Sequence, residues 1–153
     1  MTNEKNYEAI LKEKGRLYQK VKGVSMLPMI HQGQDIIVIS KRPKEHLKKY
    51  DVVLFQRTEL SMHTSYVLHR ILKVNSDGTY WIVGDNCCNG DIVKEEEIIG
   101  ILSAVIRNGK TIRMNGLPYK LYVHLWCGLY PIRFFIIRYK RYLQKKRSRG
   151  TLD

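Results

Sequence analysis

Cysteine is scarce in this chain of 153 residues, and its arrangement excludes two classes of small protein. There are three cysteines, Cys87, Cys88 and Cys127, an odd number that includes an adjacent pair. Such a set is a poor disulfide framework. No C-x-x-C spacing occurs and the histidines lie elsewhere, so a zinc site is not indicated either. We therefore expect free thiols in a reducing compartment, and no metal or other cofactor.

Long apolar runs are also missing. Residues 1–22 are polar and charged and contain no apolar h-region, which excludes a secretory signal and any spanning segment there. The one candidate for a membrane span is the stretch 121–137, but it contains His124, Gly128, Pro131 and Arg133. A clean span needs roughly 20 mostly apolar residues, so we do not expect this segment to cross a bilayer.

Acidic residues are few relative to basic ones. Lys and Arg total 27 against 14 Asp and Glu, a formal net charge of +13. This balance predicts an anionic partner, either a nucleic acid or a membrane surface. No nucleic-acid recognition motif accompanies the charge, so we do not expect nucleic acid. Seven basic residues fall between positions 138 and 149: Arg138, Lys140, Arg141, Lys145, Lys146, Arg147 and Arg149.

The segment before this basic tail has helical periodicity. Apolar residues recur every three or four positions from 121 to 136, with aromatic residues around them, which predicts a helix broken or kinked near Pro131. Two interpretations remain open: a peripheral anchor on anionic lipid, or a core-packing helix with a solvated basic tail. On the first interpretation the protein is membrane-associated through this segment and otherwise cytoplasmic.

The rest of the chain is patterned for short strands. A helix is expected over residues 4–14, ended by Gly15. Turns at Asp77-Gly78 and Asn108-Gly109 predict two hairpins. We expect a mainly β (α+β) fold, a partly closed β-barrel or layered sheets, with a short N-terminal helix and a C-terminal amphipathic helix. Residues 1–116, with a core over 17–114, would form one domain and residues 117–153 a second segment. The strands are expected at 17–21, 35–39, 51–55, 66–74, 79–83, 98–107 and 110–114.

A serine lies in a turn that leaves the first of these strands. Ser25 stands between Gly23 and Pro28, residues that favour a turn with an exposed backbone amide next to Met26. A serine hydroxyl is a weak nucleophile that needs a neighbouring base, and an exposed amide can stabilise an oxyanion. A lone serine in such a turn is most often only a turn residue.

A histidine and two aspartates complete a possible catalytic set. His69 lies in a predicted strand, and its ordinary pKa of about 6.5 suits a general base. Asp85 and Asp91 lie in a polar turn after the next strand, where a carboxylate could return to the imidazole and orient it. Each of these residues is also common in purely structural roles.

These segments, in order, resemble the type I signal peptidase superfamily, which includes the self-cleaving repressor peptidases. The resemblance covers roughly residues 20–107 and implies an endopeptidase with a mainly β catalytic domain, in which Ser25 matches the nucleophile. The matching boxes are Gly23-x-Ser25-Met26-x-Pro28, Gly33-x-Asp35, Tyr50-Asp51-Val52-Val53-Leu54-Phe55, His69-Arg70 and Gly84-Asp85-Asn86 followed by Asp91.

The base departs from the common bacterial pattern, which has a lysine before the arginine. His69-Arg70 is instead similar to the endoplasmic-reticulum, archaeal and sporulating-bacterium type, where serine pairs with histidine. In that type Asp91 matches the orienting acid, and Asp85 is the second choice. Many relatives carry a serine where this chain has Gly23, so the resemblance implies an oxyanion site that relies more on the backbone. The usual N-terminal anchor is not recognisable.

Three functions remain open. The first is cleavage of a signal or leader peptide from a peptide or preprotein substrate, after small residues. The second is a self-cleaving regulator, but Lys14-Gly15 and Lys22-Gly23 are the candidate bonds upstream, and neither has a small first residue. The third is a non-catalytic binding protein at a membrane surface.

Overall fold

The computed structural model describes residues 6–43, 46–58 and 64–149, and it contains more strand than helix. The mainly β expectation is confirmed. The predicted N-terminal helix is present from Tyr7, and positions 4 and 5 lie outside the described residues. The elements are α1 (Tyr7–Lys14), β1 (Arg16–Lys20), β2 (Asp35–Lys41), β3 (Val52–Thr58), β4 (Thr64–Val74), β5 (Tyr80–Val83), β6 (Gly90–Val93), a 3₁₀ turn (Glu95–Glu97), β7 (Ile98–Arg107), β8 (Lys110–Arg113), α2 (Leu117–Tyr122), a π-helical turn (Val123–Cys127) and α3 (Tyr130–Arg149).

One antiparallel sheet contains all eight strands. Its order is β1-β2-β7-β3-β4-β5-β6, and β8 pairs with the end of β7. Within the described residues β1 pairs only with β2 and β6 only with β5, so the sheet is not closed into a barrel, and the expected partly closed barrel is not found. Register shifts at Val38/Ile39 and Leu54/Phe55 interrupt the pairing of β2 and β3 with β7, and such bulges increase local twist.

Helix α1 is defined by its two ends. The Asn6 side chain accepts a hydrogen bond from the Ala9 amide, and Gly15 takes a left-handed conformation with φ of 69° while donating to the Leu11 carbonyl. Leu11 is buried in a cluster with Leu17, Ile37 and other side chains of β1, β2 and β3. The helix therefore covers one side of the sheet beside the segment that carries Ser25.

The C-terminal helical segment packs on the sheet with one face only. Val123 and Cys127 are buried in a cluster with Leu72 of β4 and Val83 of β5. Helical hydrogen bonding is interrupted by the π-helical turn and by a turn at Leu129, two residues before Pro131, where the sequence predicted a break. Among the described residues, none of the helices combines the length and hydropathy that a membrane crossing requires.

Candidate active site

The loop after β1 presents Ser25 in a turn. Gly23 has a φ of 84°, a left-handed conformation that favours glycine, and its amide donates to the side chain of Gln32 at 2.9 Å. The Met26 side chain is buried in the core, and its carbonyl accepts a hydrogen bond from the Ile30 amide. The buried methionine and these hydrogen bonds hold the half-buried Ser25 at the start of the turn.

His69 enters the same region from β4. It lies opposite Val53 of β3 in the sheet register, and its ring is tilted against that of Phe55 with centroids 6.3 Å apart. The residue is only 5% exposed. A histidine fixed inside a sheet in this way has little freedom to turn away from its neighbours.

Gly84 is the point where the serine loop and the histidine meet. A methyl group built on Gly84 would lie 2.7 Å from the Ser25 carbonyl oxygen, 2.9 Å from His69 Nε2 and 2.8 Å from the Cys87 sulfur. All three distances are shorter than real Cβ contacts, so the missing side chain lets these groups converge. The loop is joined further by the Asn86 amide, which donates to the Ser25 carbonyl at 2.7 Å, and by the Asn86 side chain, which donates to the Val24 carbonyl at 3.1 Å.

Ser25 and His69 line a common cavity of about 560 Å³. Its walls come from β1, from the loop after it, from β3 and β4, and from α1 through Tyr7. The Tyr7 and Tyr66 rings lie 4.6 Å apart at one side. The cavity is large enough to admit a segment of peptide beside the two candidate catalytic residues.

The two candidate acids have different surroundings. Asp91 on β6 lies with a carboxylate oxygen 3.9 Å from His69 Nδ1, beyond hydrogen-bond length. The same oxygen forms an ion pair with Arg57 of β3. His69 Nδ1 is buried and has no hydrogen-bond partner among the described residues. The structure thus brings Asp91 next to the imidazole, but Arg57 holds its carboxylate.

Asp85 forms its ion pair with Arg70 and not with His69. Its two carboxylate oxygens accept from Arg70 Nε at 2.8 Å and Arg70 Nη2 at 2.7 Å, and both side chains are fully buried. Tyr122 donates to the same carboxylate at 3.0 Å, and Arg133 lies 3.8 Å away. Asp85 makes no hydrogen bond to His69 among the described residues, and its position is that of a buried counter-ion between the sheet and the C-terminal helices.

Electrostatics keep the His69 ring neutral. Burial is the largest cause, and the positive charge of Arg57 adds to it, while Asp91 and Asp85 act in the opposite direction. Together they lower the pKa of His69 to about 4. The neutral ring is the form that can accept a proton, but the lowered pKa also makes His69 a weaker base than an ordinary histidine.

The serine itself is not engaged with the base in this conformation. The hydrogen bonds that Ser25 makes with described residues end on its carbonyl oxygen, and neither its hydroxyl nor its amide has a partner among them. The unengaged amide is a possible oxyanion donor beside the nucleophile. Burial raises the pKa of the Cys87 thiol, so this nearby sulfur stays protonated at neutral pH.

The sequence gives no indication of Arg57, and it shows Gly84 and Arg70 only as members of the motif boxes, without a role. Arg57 lies in β3 beyond the Tyr50–Phe55 box, and no motif includes it. The position of Gly84 as the contact point depends on His69 and Ser25, which are 15 and 59 residues away in the sequence. Arg70 was visible only as part of the His69-Arg70 pair. Within the described residues, no group of His, Cys, Asp and Glu side chains is arranged to hold a metal ion.

Comparison with known proteins does not indicate a function, so the functional proposal depends on the geometry of the site. No protein-family model matches this sequence, and no curated protein shows significant similarity to it.

Proposed function

We propose that this chain is a serine endopeptidase in which Ser25 is the nucleophile and His69 the general base. The observation that carries the proposal is the convergence of the Ser25 loop and His69 Nε2 on Gly84, with Ser25 and His69 both lining one cavity. The ordered boxes that resemble the type I signal peptidase superfamily support it independently. We assign the substrate to the signal or leader peptides of a preprotein, cut after small residues.

The chemistry would follow from the positions of the two side chains. His69 Nε2 takes the hydroxyl proton as Ser25 Oγ bonds to the scissile carbonyl carbon, and the Ser25 amide faces the resulting oxyanion. The proton then passes from His69 to the leaving amine as the carbon–nitrogen bond breaks. Water then attacks the acyl carbon as His69 takes its proton, and the proton passes from His69 to Ser25 Oγ as the ester bond breaks and the acid product leaves. A modest closure of the loop over substrate would bring hydroxyl and imidazole into hydrogen-bond contact, as is common between apo and bound sites.

Asp91 would complete the site as the orienting acid. It lies near His69 Nδ1, and a rotation of its carboxylate away from Arg57 would supply the partner that this nitrogen lacks. Asp85 does not take this role in the proposal because both of its oxygens are used by Arg70.

The proposed place of action is the surface of an anionic membrane, with the protein attached peripherally. The excess of 27 basic over 14 acidic residues supports this part of the proposal.

The test is covalent labelling of Ser25 by a serine-reactive acylating probe, located by mass spectrometry. We expect labelling of the native chain, no labelling of Ser25→Ala, and labelling slowed by roughly a hundred-fold or more in His69→Ala. Ser76→Ala and His124→Ala are matched controls because both residues are exposed and outside the cavity. Equal labelling rates in native and His69→Ala protein, or no label at Ser25, would refute the proposal.

A further inference from the structure

The C-terminal helical segment has a second apolar face that nothing in the described part of the chain covers. Its packed face carries Val123, Cys127, Arg133 and Ile137, which are all buried. Large apolar side chains recur every three or four residues on the other side, and they form what we call the exposed stripe. The exposed stripe consists of Leu117, Leu121, Leu125, Leu129, Ile132, Phe135, Ile136, Tyr139, Tyr142 and Leu143.

The degree of exposure in the stripe is large. Leu117 is 80% exposed and Phe135 is 69% exposed. Single exposed apolar residues are ordinary, but a continuous apolar face of this length marks an interaction surface. A helix that is apolar on two opposite sides needs a second apolar environment besides the core it already covers.

The basic residues near the exposed stripe indicate which apolar environment it contacts. Lys120, Arg138 and Lys140 are exposed on the same helical segment. Lys120 and His124 also line a cleft whose other basic residues include Lys48 and Arg113, and whose only described acid is Asp51. The stripe is therefore bordered by cations, the arrangement by which an amphipathic helix lies in the interface of an anionic bilayer.

Two other occupants fit less well. A second copy of the chain would bring two proteins of formal charge +13 together, and the repulsion would oppose association. A nucleic acid would satisfy the basic border but would leave the apolar stripe in water.

We propose that the exposed stripe lies in the interfacial layer of an anionic lipid bilayer, with its basic border over the phosphate head groups. This proposal specifies the surface for the peripheral attachment proposed above, and it does not depend on the chemistry of Ser25.

The docked helix would also orient the cavity. Trp126 donates to the Asp85 carbonyl at 3.1 Å, Tyr130 to the Cys88 carbonyl at 3.2 Å and Arg141 to the Asn86 carbonyl at 3.0 Å. The loop that meets Ser25 is thus held directly by the segment that we place on the membrane.

The experiment is flotation of full-length Ser25→Ala protein with vesicles of phosphatidylcholine, alone or mixed with anionic phosphatidylglycerol. We expect binding to the mixed vesicles, weaker binding at high salt, and little binding to the neutral ones. The double variant Leu125→Ser/Phe135→Ser should bind mixed vesicles roughly tenfold or more weakly, because it removes apolar area at unchanged charge.

The matched control is Ile92→Ser, since Ile92 is 64% exposed on β6, away from the stripe. It should bind like the parent protein, and circular dichroism should show that all variants are folded. Equal binding by the double variant, binding to neutral vesicles alone, or self-association that the double variant abolishes would overturn the proposal. Flotation of the Ser25→Ala protein that depends on the stripe, together with no labelling of Ser25 in the native chain, would support the membrane surface and reject the peptidase proposal.

Discussion

Asp85 and Asp91 both lie in the β5–β6 region, but they differ in burial and in the side chains that surround them. Asp85 is fully buried and is the anion closest to two buried guanidinium groups, those of Arg70 and Arg133. Asp91 is partly exposed, with a side chain 30% accessible, and it shares its charge between Arg57 and the neighbourhood of His69. Buried charge that loses its partner is costly, whereas an exposed pair contributes little.

This difference predicts opposite phenotypes for two isosteric substitutions. Asp85→Asn leaves two buried arginines without a counter-ion and should lower the free energy of unfolding by roughly 3–5 kcal/mol. Asp91→Asn should change that free energy by less than about 1 kcal/mol, while slowing the reaction of Ser25 with the acylating probe. Urea denaturation and labelling rates measure the two effects. If the Asp85→Asn protein were stable and slowly labelled, Asp85 and not Asp91 would be the acid that orients His69.

The sequence identified both acids and could not separate them. Asp85 is paired with Arg70 and Asp91 with Arg57, partners 15 and 34 residues distant. Pairing across that separation is decided by which strands are neighbours, and no local pattern records it. The serine turn was easier to predict, because glycine and proline restrict the backbone within a few residues.

The connection between β5 and β6 determines whether the site forms. Gly84 stands where β5 ends, and the absence of a side chain there lets the serine loop and His69 approach each other. The sequence predicts a polar turn here, and the structure adds a short strand, β6, over Gly90–Val93. A run of four residues that begins with Gly90 and Asp91 is too short to show a strand pattern, and β6 forms because β5 offers an edge for pairing.

Adding one methyl group at this connection should therefore be damaging. Gly84→Ala forces contacts below 3 Å with the Ser25 carbonyl and His69, which we expect to cost about 1–3 kcal/mol of stability and to abolish labelling of Ser25. Gly128→Ala is the control, since a methyl group there meets nothing within 4 Å on a helical backbone. Thermal unfolding and labelling should show no loss in that variant. If both glycine variants behaved alike, Gly84 would not be the point that joins the site.

For the molecule as a whole, a buried neutral histidine links folding to pH. Burial and Arg57 lower the pKa of His69 to about 4, against about 6.5 in an unfolded chain. Above pH 6.5 the ring is neutral in both states and contributes no pH dependence. Between pH 6.5 and about 4 the unfolded chain binds a proton that the folded chain does not, so stability falls as the pH falls. Below about 4 both states are protonated, and this loss stops increasing.

We expect the His69→Gln substitution to remove this part of the pH dependence of the free energy of unfolding. Native protein should lose up to about 1.4 kcal/mol per pH unit more than His69→Gln between pH 6.5 and 4, measured by urea unfolding of both proteins. Carboxylate titrations are common to the two proteins and cancel in the comparison. An NMR titration of the His69 ring gives a direct check, with a midpoint near 4 expected. A midpoint near 6.5 would contradict the buried, neutral base.

Local patterns in the sequence were enough to determine most of the elements. Alternating β-branched residues, Asp-Gly and Asn-Gly turns and the glycine after α1 act over a few residues, so the helix, the strands other than β6 and the Ser25 turn followed from them. Only the tertiary structure decided that the sheet stays open, that Arg57 holds Asp91 while Arg70 holds Asp85, and that the C-terminal helix buries one apolar face and exposes the other. The physical reason is that these features depend on which distant segments become neighbours, and that outcome is set by packing of the whole chain.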